Sequence, residues 1–209
     1  MNIYELTLNE YLEAASSKSP TPGGGSVSAV VAANASAMVS MVANLTLGKK
    51  GYEDVQDTVR SILDKVNLGM TSLKELTAKD MQAFQCFMEA WKLPSATEDD
   101  KALKNLAMEK AAQNASSVPL ELCRACIEIL RQAGRLAPIG NKTAISDVGV
   151  GAYLAEAALN AAMLSVDINL PMIRDEAFKE KLLTEKARLL AEAEELKSTA
   201  LSDVRARLA

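Results

Sequence analysis

Residues Pro20–Lys50 read PTPGGGSVSAVVAANASAMVSMVANLTLGKK. No charged residue occurs between Thr21 and Gly48. Pro22 restricts the approach, and Gly23, Gly24 and Gly25 allow close contacts that a Cβ would block. Ser26 is of the type that caps helix starts, so a helix is expected from Ser26 to Leu47. Ala29, Ala33 and Ala37, and Ala32, Ser36 and Ser40, recur every four residues, a spacing that suits close helix–helix packing. A helix apolar on most faces belongs at the centre of a fold. The glycine loop delivers free backbone N–H groups at a helix start, an arrangement that attracts anions. It is not a phosphate-binding P-loop, because no Gly-Lys-Ser/Thr closes it and no β-rich run precedes it.

Outward from this stretch the chain keeps the same character. Of its 209 residues, 49% are hydrophobic but only 4% aromatic, so the core must be aliphatic. The net charge of -4 argues against a nucleic-acid binder, which would show a basic face. The chain has no histidine, so proton transfer must use carboxylates, lysine, tyrosine, cysteine, water or the substrate. Three cysteines, an odd number, fit a reducing compartment such as the cytoplasm. Cys123 and Cys126 match a C-x-x-C spacing but fall inside a helical pattern, where they read as small apolar residues. No signal peptide is expected, since Glu5, Glu10 and Glu13 interrupt the first twenty residues. The uncharged run is long enough to span a bilayer, yet Asn34, Asn44 and four serines argue for a protein core and against a membrane.

The apolar spacing predicts an all-α, single-domain bundle of about six helices covering residues 1–209. The segments are 4–16, 26–47, 53–92, 97–133, 146–164 and 174–208. Val59, Ile62, Val66, Leu73 and Leu76 give the third its helical stripe. Thr97 caps the fourth, with Glu98, Asp99 and Asp100 suiting its positive start. Pro119 should kink or divide that helix. Small residues at Gly149, Gly151, Ala155, Ala158 and Ala162 mark the fifth as a second central helix, and 166–171 reads as extended or bent. The last, rich in Glu, Lys and Arg, reads as a solvated outer face or a coiled-coil arm.

A second cluster, Gly140-Asn141-Lys142-Thr143-Ala144-Ile145-Ser146-Asp147, stands beside the first. With Pro22–Ser26, Asn44-Leu45-Thr46, Gly48-Lys49-Lys50-Gly51-Tyr52 and Asp80-Met81-Gln82-Ala83-Phe84, it resembles the cyclodeaminase/cyclohydrolase family of tetrahydrofolate enzymes. The likeness runs from Leu6 to about Phe178. Ser95, Lys104 and Thr143 depart from the family pattern, where lysine, arginine and asparagine are usual. The resemblance implies a homodimer and a folate substrate, polyglutamylated forms included, with no tightly bound cofactor and no metal. It implies formimidoyltetrahydrofolate cyclodeaminase activity, which yields 5,10-methenyltetrahydrofolate and ammonia. The alternatives are methenyltetrahydrofolate cyclohydrolase and a non-catalytic helical dimer of the same fold.

Cyclodeamination needs a group to protonate leaving ammonia and one to take a proton from N10. Without histidine, Asp80 and Asp147 are the candidate catalytic pair, and an apolar setting would raise the pKa of either. Each has a plain reading too, Asp147 as a charge at a helix start and Asp80 as a solvated residue. Substrate binding is assigned to Gly23, Gly24, Gly25, Ser26, Asn44, Lys49, Lys50, Asn141 and Ser146. The lysines suit folate glutamate carboxylates, and the asparagines suit pterin amide edges. Met38, Met41, Phe84 and Met88 could line the pterin pocket or simply pack. All these groups are expected to converge on one pocket.

Overall fold

A computed structural model describes residues 2–209. Six α-helices and four short 3-10 turns make up its regular structure, with no strand among the described residues. Thr7 opens α1, Leu8–Ala15, by a reciprocal pair of bonds with Glu10, and this breaks the expected 4–16 helix from the turn at Ile3–Glu5. The others are α2, Gly24–Thr46; α3, Gln56–Trp91; α4, Glu98–Leu136; α5, Ile145–Asp167; and α6, Glu176–Leu208.

Helices α2, α3, α4 and α5 form a four-membered bundle in which α2 touches α3 and α5, and α4 touches the same two. Helix α6 lies against α4 and α5. The expectation of two central helices holds. Ala29, Ala32, Ala35, Val39 and Val42 of α2 are buried, as are Gly149, Gly151, Ala155, Ala158 and Ala162 of α5. The helices approach closely because a Cβ at Gly151 would stand 3.0 Å from the Val39 side chain and 3.1 Å from the Ala35 carbonyl. Serines serve the α2–α3 contact: Ser36 Oγ donates to the Val66 carbonyl at 3.0 Å. These polar pairings suit a bundle core. By length and hydropathy, α2 and the Lys142–Met172 stretch could each cross a membrane, but much of each is buried within the fold.

Two local expectations change. Gly23, not Ser26, is the N-cap of α2, and Ser26 is buried in the first turn with its Oγ donating back to the Gly23 carbonyl at 3.1 Å. Pro119 does not divide α4, which continues through it as one helix. Residues 166–171, expected as extended or bent, are bent: α5 runs to Asp167 and a 3-10 turn follows at Leu170–Met172. The outer-face reading of α6 holds. Leu182, Leu189, Ala193 and Val204 are buried against the bundle, and Arg124–Glu185, Arg131–Glu192 and Lys186–Asp167 ion pairs tie it down. Cys123 and Cys126 are buried in α4, and burial pushes the Cys123 thiol up to about 12.

Candidate functional site

At one end of the bundle a cavity of about 300 Å³ opens between the diagonal helices α3 and α5. Its walls are the glycine loop, Asp80, Phe84 and Phe87 from α3, Ala115 from α4, and Ser165, Ile168 and Asn169 at the end of α5. Most of this lining is apolar. The glycine loop and Asp80, far apart in sequence, therefore meet as expected.

They meet in a specific way. With glycine at the N-cap, no side chain caps α2. The Asp80 carboxylate instead lies against this helix start from across the bundle, where the Ser26 backbone N–H acts on it. The anion at this helix start is thus the protein's own, which corrects the expectation of an open anion site. Gly25 is what permits the approach, since a Cβ there would stand 2.6 Å from Asp80 Cγ. Two influences act on the carboxyl. Desolvation by burial is the larger and raises its pKa; the Ser26 N–H opposes it and lowers it. The net shift is upward, so Asp80 can carry a proton nearer neutrality than an ordinary aspartate.

The second cluster forms at the other end of α2. Asn141 is buried and ties the segment together. Its backbone N–H donates to Thr46 Oγ1 at 2.8 Å, and its Nδ2 donates to the Leu45 carbonyl at 3.1 Å. Its Oδ1 accepts Lys49 Nζ at 2.7 Å and the Thr143 N–H at 3.1 Å. Tyr52 Oη accepts the Lys142 N–H at 2.9 Å. Arg207, at the end of α6, donates to the Pro138 and Gly140 carbonyls and holds the preceding loop. Asn44, Lys50 and Ser146 are exposed here, and Asp147 sits in the first turn of α5. Because Lys49 is held by a neutral oxygen, its charge stays uncompensated and available to an anion.

These two clusters do not form one pocket in a single chain. Helix α2 places the glycine loop at one end and Asn44 at the other, roughly 30 Å apart at the helical rise of 1.5 Å per residue. Helix α5 runs alongside, with Asp147 at its first turn and Asn169 just beyond its end, so Asp80 and Asp147 are separated in the same way. The hydrophobic assignments divide too. Phe84 lines the cavity and Met88 an adjoining groove, whereas Met38 and Met41 lie on α2 away from it.

Sequence reasoning missed Asn169, Ser165, Phe87 and Ala115 in the cavity wall. One signal was present. Proline at 119 leaves the carbonyl four residues earlier, that of Ala115, without its helical donor.

The sequence of this chain matches the family model described as formiminotransferase-cyclodeaminase over residues 7–188. The chain belongs to that family. It is 40% identical over 187 residues to methenyltetrahydrofolate cyclohydrolase of Methylorubrum extorquens, a match covering 90% of each chain. It is 31% identical to mouse formimidoyltransferase-cyclodeaminase, over 99% of this chain but 38% of the mouse protein. The crystal structure of formiminotetrahydrofolate cyclodeaminase from Thermotoga maritima superposes with a TM-score of 0.88 at 33% identity, covering 98% of both chains. The all-α expectation and the family resemblance are both borne out.

Proposed function

We propose that the chain is a folate one-carbon enzyme, a formimidoyltetrahydrofolate cyclodeaminase, with the Asp80 cavity as its reaction centre. The observation that carries this reading is a carboxyl of raised pKa, fixed on the α2 N-terminus, in a largely apolar cavity with two phenylalanines. Such a group can do both proton transfers in turn. The reacting amidinium carries the one-carbon unit on N5, and N10 attacks its carbon to form the new C–N bond. Ionised Asp80 takes the proton from N10 and then gives it to the departing nitrogen. The C–N bond breaks, ammonia leaves, and the methenyl cation remains, so charge and protons balance without a second acid. Holding N10 against the carbon makes the attack intramolecular, a large part of the acceleration.

A second reading has its own support in the 40% identical cyclohydrolase. In it, Asp80 takes a proton from water attacking the methenyl carbon, and the ring opens to 10-formyltetrahydrofolate. The two separate in one experiment. The protein is given 5-formimidoyl- or 5,10-methenyltetrahydrofolate and methenyl absorbance is followed. A rise with the first supports the cyclodeaminase, and a fall with the second alone supports the cyclohydrolase.

The far cluster fits the same function through a second copy of the chain. Helices α2 and α5 leave an uncovered apolar stripe: Met41 and Leu45 on the first, Val150, Tyr153 and Leu164 on the second. Ile168, 70% exposed, continues it into the cavity wall. A second copy related by a twofold axis through the middle of this face would run antiparallel. The Asn141–Lys49 end of one chain would then lie beside the Asp80 end of the other, joining glutamate-binding lysines to the pterin cavity. In that arrangement Asp147 and Ser146 of one chain serve the cavity of its partner, and the lysines suit polyglutamylated folate.

A further inference from the structure

The Asn169 side chain has two anchors. Its Nδ2 donates to the Ala115 carbonyl at 3.2 Å and to the Ser165 carbonyl at 2.8 Å. Each of those carbonyls lacks a helical partner. The donor for Ala115 would be residue 119, which is proline and has no N–H. The donor for Ser165 would be the Asn169 backbone N–H, which instead bonds Val166 at 3.1 Å as α5 tightens at its end. The orientation of the amide is therefore forced. Both neighbours are acceptors, so the nitrogen must face them, and a flipped amide would set oxygen against oxygen. Among the described residues no protein group donates to Oδ1, and Asn169 lines the cavity. The missing N–H at Pro119 thus has a consequence at the site: it helps hold an amide whose carbonyl oxygen has no protein donor among the described residues.

We propose that Asn169 is a specificity-determining residue, whose side-chain carbonyl accepts a hydrogen bond from the exocyclic amino group of the bound pterin. This rests on the folate reading of the cavity. Asp80 stands on α3 and serves the N5–N10 edge. Asn169 stands on the diagonal side, beyond α5, where a ring with its N5–N10 edge at Asp80 would place its opposite edge. That edge carries the amino donor. An acceptor fixed by two hydrogen bonds pays no ordering entropy on binding. A site built around such a bond rejects a ligand lacking the donor, because the protein acceptor is then buried unpaired.

The test uses calorimetric titration of the full chain with tetrahydrofolate and with its 2-desamino analogue. The native protein should bind the analogue about tenfold or more weakly. Asn169→Leu should lose this preference and bind both alike, with KM raised and kcat little changed. A role confined to capping α5 would alter stability but leave the preference intact. If the leucine variant lacks the native helical circular dichroism, Asn169→Ala gives the same comparison without crowding. A native protein with no preference, or a variant that keeps it, overturns the assignment. Phe84→Ala distinguishes the two levels of failure. If it weakens tetrahydrofolate binding while Asn169→Leu changes nothing, Asn169 alone is misassigned. If it too changes nothing, the cavity is not the pterin site and both readings fall.

Discussion

Gly25 and Asp80 are matched to one another: the missing side chain of the first is the space in which the carboxylate of the second reaches the start of α2. Gly25→Ala should therefore act on the site more than on the fold. The displaced group is the end of a side chain, which can swing away without moving the helix. The expected result is a rate about a hundredfold lower, the usual worth of one positioned acid or base, with melting within a few degrees of native. Loss of cooperative unfolding in Gly25→Ala would show instead that the glycine serves packing.

Asp80→Asn should make the protein more stable at neutral pH. Burial raises the folded-state pKa of Asp80, so the folded chain holds a proton that the unfolded chain has released. Stability from this group is fully present below the unfolded pKa and is lost as pH rises through the folded pKa. Asparagine keeps an acceptor for the Ser26 N–H and has no charge to desolvate. The stabilisation by Asp80→Asn should be largest above the folded pKa and shrink towards acid. Melting curves across that range check the sign, and a variant less stable than native at pH 7 goes against it.

The far cluster separates binding from chemistry. Lys49→Ala removes a charge whose protein partner is neutral, so it should raise KM for polyglutamylated folate, flatten its salt dependence and leave kcat nearly unchanged. Asn141→Ala removes an amide that joins Leu45, Lys49 and Thr143 and should destabilise the fold by about 1–3 kcal/mol. A kcat loss without a KM change in Lys49→Ala would place the lysine in the chemistry.

The proposed two-chain site makes a quantitative prediction. Asp80→Asn and Asp147→Asn chains should each be impaired alone. Unfolded and refolded together in equal amounts, they should recover about a quarter of native activity, because half the dimers are mixed and half the sites in those are intact. No recovery, with mixed dimers demonstrated by mass, would mean that each site draws both carboxylates from one chain, and an Asp147→Asn chain with native activity would mean that Asp147 has no part.

Much of this was legible in the chain. Alanine and glycine at four-residue spacing marked α2 and α5 as central, and the structure gives Gly24–Thr46 and Ile145–Asp167 against expectations of 26–47 and 146–164. Thr97 reads correctly as a cap because its Asp100 partner is local. What could not be read depends on distant partners. Ser26 looked like a side-chain cap because the carboxylate that lies at this helix start, Asp80, arrives from another helix. Pro119 looked like a break because the group that satisfies the Ala115 carbonyl lies 54 residues further on. Motifs at the two ends of α2 looked like one pocket because sequence order does not reveal that a straight helix holds them apart.

The most direct measurement is the initial rate of methenyl absorbance with 5-formimidoyltetrahydrofolate, for native protein and folded Asp80→Asn at equal concentration. The account predicts a rise with native protein and a rate about a hundredfold lower for the variant at saturating substrate. An Asp80→Asn protein with native circular dichroism that turns over at the native rate would contradict it.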